Sequence, residues 1–313
     1  MARTMGSRPL AVAIVALLGT TASVGVVRGA TDDQKVAEWS ALSGLTTTHL
    51  VFSGLPRNTA PDSAGVSRDG EAFRFSTGGF VGGATIEVWG QMAGRRVEGN
   101  FEGGGYERTL GAGVNLGGLE FGVLHTLGDY LVTNTGTTVS TETSQYGTYL
   151  LWDFAQGWRV DGLLLFGQPD TVSGAQQIET DRISGSFGLS KSFNLGRFEV
   201  ESFVSADVVS EDQPANLIAG GTPARTVTGY SGAIGSTLWY QTQGAGRPFL
   251  TVAAENNGHD DGLGTSTSHV TPRIGAGIQV DGAMYDLKIM FETAETFDGT
   301  RDESAAISLG FDF

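Results

Sequence analysis

Cysteine is absent from the 313-residue sequence, so disulfides, four-cysteine zinc sites and iron–sulfur clusters are excluded. Charge is sparse at 17 % of residues, against about a quarter in ordinary soluble domains. Basic residues are the scarcer sign, 19 against 34 acids for a formal charge of −15. That imbalance excludes the basic face that phosphates require, and no nucleic-acid partner is expected. Beyond the N-terminus no apolar run approaches the ~20 residues of a spanning helix. With a mean hydropathy of −0.04, a helical membrane bundle is excluded. HExxH, a close His pair, a nucleophile elbow, a Walker loop and a dinucleotide fingerprint in a suitable context are also missing. The chain therefore reads as non-enzymatic, without cofactor or metal. The sharpest chemical cluster, His259-Asp260-Asp261, falls in an expected outer loop. Adjacent loop residues cannot orient one another as a base and its support must, so a solvated acidic loop is expected.

What is abundant is glycine, with 48 residues but no three-residue period, which rules out collagen. Arg3 and Arg8 precede an apolar stretch, Leu10 to Leu18, and then small residues. This order marks residues 1–30 as a secretory signal peptide, cleaved after Ala22 or Ala30. Its three arginines leave with it, deepening the mature charge to −18. Asp32 to Gly44 opens with acids, places Val36, Trp39 and Leu42 on related faces and ends in glycine, predicting a helix. Residues 45–82 are rich in Thr, Ser, Gly and Pro and read as linker, with room for one short strand at 71–80.

From residue 83 the pattern is strand after strand, near 83–95, 104–116, 119–131, 143–154, 157–167, 181–193, 197–209, 225–239, 247–257, 267–280, 283–294 and 303–313. These lengths exceed the ~5–6 residues of ordinary strands and match the ~9–11 that cross a bilayer at a tilt. Alternation is strict: Tyr285, Leu287, Ile289 and Phe291 interleave with Asp286, Lys288, Met290 and Glu292, which puts one set on each face. A soluble sandwich alternates too. Links after even-numbered strands are short, however, and those after odd ones are longer and polar, up to 210–224. Short turns at one end and long loops at the other describe a transmembrane up-and-down barrel, with its turns periplasmic and its loops outside. An even strand number then places both mature termini in the periplasm. Aromatics near strand ends suit interfacial girdles.

The stretch 83–313 resembles the autotransporter translocator barrel of type V secretion. The residues that carry the resemblance are Val88-Trp89-Gly90-Gln91, Tyr146-Gly147-Thr148-Tyr149-Leu150-Leu151-Trp152, Gly157-Trp158-Arg159-Val160-Asp161-Gly162-Leu163, Arg273-Ile274-Gly275-Ala276-Gly277 and the ending Leu309-Gly310-Phe311-Asp312-Phe313. The resemblance implies an all-β, antiparallel barrel of twelve strands with a helix in the lumen, a role for Asp32–Gly44. It also implies that Phe311 and Phe313 form the signal read by the barrel-assembly machinery, after export by the general secretory route. The expected location is the outer membrane of a Gram-negative cell, with its lipid as partner. Self-cleaving members cut within the lumenal helix, and Asn256-Asn257, at a late strand's end, offers no such site. Residues 31–82 contain no solenoid repeat, so they read as a vestigial passenger region and no sizeable passenger is expected.

The strand phases turn Glu87, Glu107, Asp161, Arg159, Arg273, Asp286 and Lys288 into the lumen. They do the same for Glu120, Glu201, Asp207, Glu255, Glu292, Asp312 and Arg182. Such charges either form an internal salt-bridge network that packs the lumen or leave an acidic lining that draws cations. The first is favoured, since ~12 strands enclose only a modest channel. A small porin with an acidic lumen, or a surface adhesin acting through its outer loops, is the alternative to a translocator-like barrel.

Overall fold

A computed structural model describes residues 32–311 apart from 54, 56–64, 70–71, 77–84, 100, 135, 156, 174–175, 216–222, 243–245, 282–284 and 296–299. Side chains are described for these residues except 65–89, 281–288 and 304–311 and a few in the helix. The expected signal peptide, residues 1–30, lies outside the described residues, as do Asp312 and Phe313.

The chain opens with a helix, α1 (Asp32–Ser53), and a hairpin, β1 (Gly65–Asp69) and β2 (Ala72–Ser76). Five long strands follow: β3 (Thr85–Glu98), β4 (Glu102–Asn115), β5 (Leu119–Asn134), β6 (Thr137–Ala155) and β7 (Trp158–Gly167). A small hairpin, β8 (Asp170–Ser173) and β9 (Gln176–Glu179), extends the sheet beside β6. Then come β10 (Asp181–Leu195), β11 (Phe198–Gln213), β12 (Arg225–Tyr240), β13 (Gly246–Asp260), β14 (Ser266–Asp281), β15 (Tyr285–Glu295) and β16 (Arg301–Phe311). Twelve of these, β3–β7 and β10–β16, pair antiparallel in sequence and close on themselves through β16 and β3. This is the expected twelve-stranded barrel.

Alternation sets its two surfaces. Along β5, Phe121, Val123, Leu127 and Leu131 are exposed while Glu120, Thr126 and Tyr130 are buried. Leu110 at 69 % and Ile234 at 64 % continue the outer apolar band on other strands. A contiguous band of that kind would be a liability in water; around a closed barrel it faces hydrocarbon. No helix among the described residues is long and apolar enough to cross a membrane.

The strands run further into the expected loops than the sequence pattern suggested. The β3–β4 and β5–β6 links shrink to 99–101 and 135–136, because Val132↔Val139, Thr133↔Thr138 and Asn134↔Thr137 continue the ladder. Branched Thr and Val favour extended backbone, so a polar segment that reads as loop pairs as strand. At the other rim the short turns carry glycines with positive φ, Gly117 (67°), Gly157 (73°) and Gly196 (68°), a conformation that costs other residues strain.

Two expectations about the N-terminal region need correction. The helix does not stop at Gly44 but continues to Ser53. A Cβ on Gly44 would sit 2.7 Å from Val209 Cγ1 and 3.3 Å from Arg182 Cζ, so this glycine serves close approach to the wall rather than helix termination. Nor do the two ends of the described chain share a rim. Trp39 packs on Phe101 and Tyr130 at the loop rim, whereas Val51, Phe52 and Leu55 pack on Tyr149, Leu151 and Leu163 towards the turn rim. The helix thus enters from the loop side and delivers the chain to the turn rim, where β3 begins.

The linker also carries structure. β2 pairs with Glu87–Gln91 of β3, leaving β16 only Arg96–Glu98 of the same strand. The hairpin therefore occupies the part of the closing seam that β16 would otherwise fill.

Candidate functional site

The lumen is filled by α1, and its contacts with the wall form the candidate site. Every residue from Trp39 to Thr48 is buried, so the helix is covered on all sides rather than along one stripe. Small residues let it approach: a Cβ on Gly229 would lie 3.2 Å from that of Ala41, and one on Gly188 would lie 2.9 Å from Phe52 Cζ. A helix inside a barrel of modest bore requires glycine on the wall.

A charged latch holds the helix in register. Arg182 of β10 donates from Nε to Glu211 Oε2 of β11 at 2.8 Å. It also donates to the Ser40 carbonyl and the Ser43 hydroxyl of α1, both at 3.2 Å. Ser40 Oγ in turn donates to Glu211 Oε1. Arg182 and Glu211 are each 1 % exposed, so both charges depend on one another and on the helix. Trp39 Nε1 donates to Thr141 Oγ1 at 3.2 Å, a second tie from the same turn.

Further pairs line the wall. Arg273 binds Glu255 through Nε (2.8 Å) and Nη2 (3.0 Å) and reaches Glu292 at 3.5 Å. Ser231 adds a donor to Glu255 at 2.8 Å. Arg95 pairs with Asp302 across the β3–β16 closure. Tyr130 and Tyr149 donate to Glu107 and Glu120 at 2.5 and 2.8 Å.

Of the expected lumenal residues, Glu107, Glu120, Asp161, Arg182, Asp207, Glu255 and Arg273 are buried within the barrel. Arg159 lies at the turn rim with Asp153, Nε to Oδ1 at 2.9 Å, a pair open to solvent and worth about 0–1 kcal/mol. Asp286, Lys288 and Glu87 sit on described strands, but their side chains are outside the account, as is that of Phe311. Glu211, Asp302, Ser40 and Ser43 were missed. Extending the odd-numbered phase of Asp207 and Val209 by two residues would have found Glu211; nothing in the sequence singles out the two serines.

The His259-Asp260-Asp261 expectation changes in detail. β13 runs through Asp260, so His259 turns inward, 6 % exposed, with Nδ1 2.8 Å from Thr267 Oγ1. Asp260 and Asp261 instead cap the β13–β14 turn. Asp261 Oδ1 accepts from the Leu263 and Thr265 amides at 2.8 and 2.9 Å. Burial works against its charge, but those two amide donors outweigh it and hold the carboxyl below its ordinary range. A depressed folded-state value adds stability above the unfolded value of about 3.9 and loses it as pH falls through the folded one. Protection of the Leu263 and Thr265 amides against hydrogen exchange should therefore be level near neutrality and drop below about pH 4. Asp261→Asn should flatten that dependence; an unaltered profile in this variant would remove Asp261 from the role.

Among solved structures, the translocator domain of the autotransporter NalP from Neisseria meningitidis is similar, with a TM-score of 0.57 at 16 % identity over 90 % of this chain and 98 % of that one. The beta domain of the Bordetella autotransporter BrkA gives 0.58 at 14 % identity over 80 % and 100 %. No family model and no curated protein matches the sequence. The likeness is one of architecture, and by it the chain has the β-barrel fold of autotransporter translocator domains.

Proposed function

We propose that this protein is an integral outer-membrane barrel of the translocator type, held closed by its own N-terminal helix. The observation that carries the reading is the outward apolar face of the described strands around a lumen lined with paired charges and filled by α1. That combination suits a wall bathed in lipid outside and a plug inside. Export would use residues 1–30 as the leader, and Phe311 and Phe313 would present the terminal strand to the assembly machinery by β-augmentation. The role is structural or translocator-like rather than enzymatic. A filled lumen favours it over an open porin.

The mature protein should fractionate with outer membranes and migrate differently on gels before and after boiling, as a barrel that survives detergent does. Identical mobility together with recovery in the soluble fraction would sink the proposal.

A further inference from the structure

Between α1 and the β4–β6 arc of the wall lies a cluster of buried polar side chains that the latch does not use. Register places Glu107 of β4, Gly128 of β5 and Thr143 of β6 in one row across the wall, with Gln145 two residues along β6. Thr47 of α1 completes it beside Glu107 and Tyr130. Thr47, Glu107, Thr143 and Gln145 are no more than 4 % exposed. A Cβ on Gly128 would lie 2.7 Å from Thr143 Oγ1 and 3.3 Å from Glu107 Cγ. The glycine thus lets the Thr143 hydroxyl and the Glu107 side chain pack against the β5 backbone.

Five polar atoms in these four side chains have no hydrogen-bond partner: Thr47 Oγ1, Glu107 Oε2, Thr143 Oγ1, Gln145 Oε1 and Gln145 Nε2. Glu107 Oε1 accepts from Tyr130, and its second oxygen has the Thr47 hydroxyl beside it but no well-formed hydrogen bond. Arg95 and Arg182 are within electrostatic reach of Glu107, but each is ion-paired elsewhere, to Asp302 and to Glu211. A buried carboxylate without a counter-ion is costly. Either a proton or a bound cation must relieve it.

We propose that this cluster binds a monovalent alkali cation between Glu107 and the oxygens of Thr47, Thr143 and Gln145. One carboxylate with neutral hydroxyl and amide oxygens is a hard-ligand set of net charge −1, suited to an ion of charge +1. Calcium and magnesium are ordinarily held by more carboxylates, and among the described residues no group of three His, Cys, Asp or Glu could hold a metal. Because Thr47 belongs to the helix and the other ligands to the wall, the ion would tie plug to barrel.

The test uses the refolded mature barrel in detergent, with its heat-unfolding midpoint measured in sodium, potassium or choline chloride at equal ionic strength. Sodium or potassium should raise the midpoint saturably above choline, on the order of 3 °C. Glu107→Gln should remove the difference. Thr143→Val keeps the carboxylate and should move saturation to higher salt, so it carries the test if the first variant does not refold. Equal midpoints in choline and in both alkali salts would overturn the proposal, assigning the cluster to water or a protonated carboxyl. So would a full response in Glu107→Gln, or the same rise with magnesium chloride at matched ionic strength.

Discussion

Deleting residues 31–55 while retaining the leader and the seam hairpin is expected to raise single-channel conductance about tenfold and make it cation-selective. The helix with its side chains is about 10–12 Å across, comparable to the bore that a barrel between the filled eight-stranded and open sixteen-stranded cases can offer. Removing it exposes a wall in which, among the described residues, Glu107, Glu120, Asp161, Asp207, Glu211, Glu255 and Asp302 outnumber the basic Arg95, Arg182, Arg225 and Arg273, hence the preference for cations. Planar-bilayer recordings of the intact and deleted proteins make the comparison, with heat-modifiable mobility confirming that the deleted form is still a barrel. Equal conductance from two folded barrels would mean that the helix does not block the lumen.

Arg182→Ala should destabilise the folded barrel by about 3–5 kcal/mol, since it strands the Glu211 carboxylate in a buried site. Arg182→Met combined with Glu211→Leu should recover most of that loss, because both charges leave together and the volume is kept. The same double variant should still gate erratically in bilayers, having lost the bonds from Arg182 and Glu211 to Ser40 and Ser43 that set the helix in register. Urea titration of the refolded proteins, followed by tryptophan fluorescence, measures the first effect. Should Arg182→Ala cost under about 1 kcal/mol, or the double variant prove as unstable as the single, the latch is not the buried, mutually dependent pair described above.

The number of barrel strands, their antiparallel order and most of the inward-facing charges were legible in the amino-acid pattern. Strand periodicity is a local property: a residue two positions from Asp161 shares its face whatever the rest of the chain does. Strand ends were less legible. The Thr-rich segments around Gly136 are polar enough to read as loop yet branched enough to pair, and only a neighbouring strand in register decides between the two. Gly44 misled for a related reason, since a glycine within a helical pattern marks either a stop or a close contact.

What the lumenal charges do emerges only when the barrel closes. Arg182 meets Glu211 from 29 positions away and Ser40 from 142, separations that no periodicity relates. The same closure put β2 beside β3 where β16 was expected, and carried the helix through the bore from the loop rim to the turn rim. These arrangements follow from closing the sheet around a helix. Once closed, the bore leaves room for little else, and each buried charge must find its partner among whatever the opposite wall and the helix present.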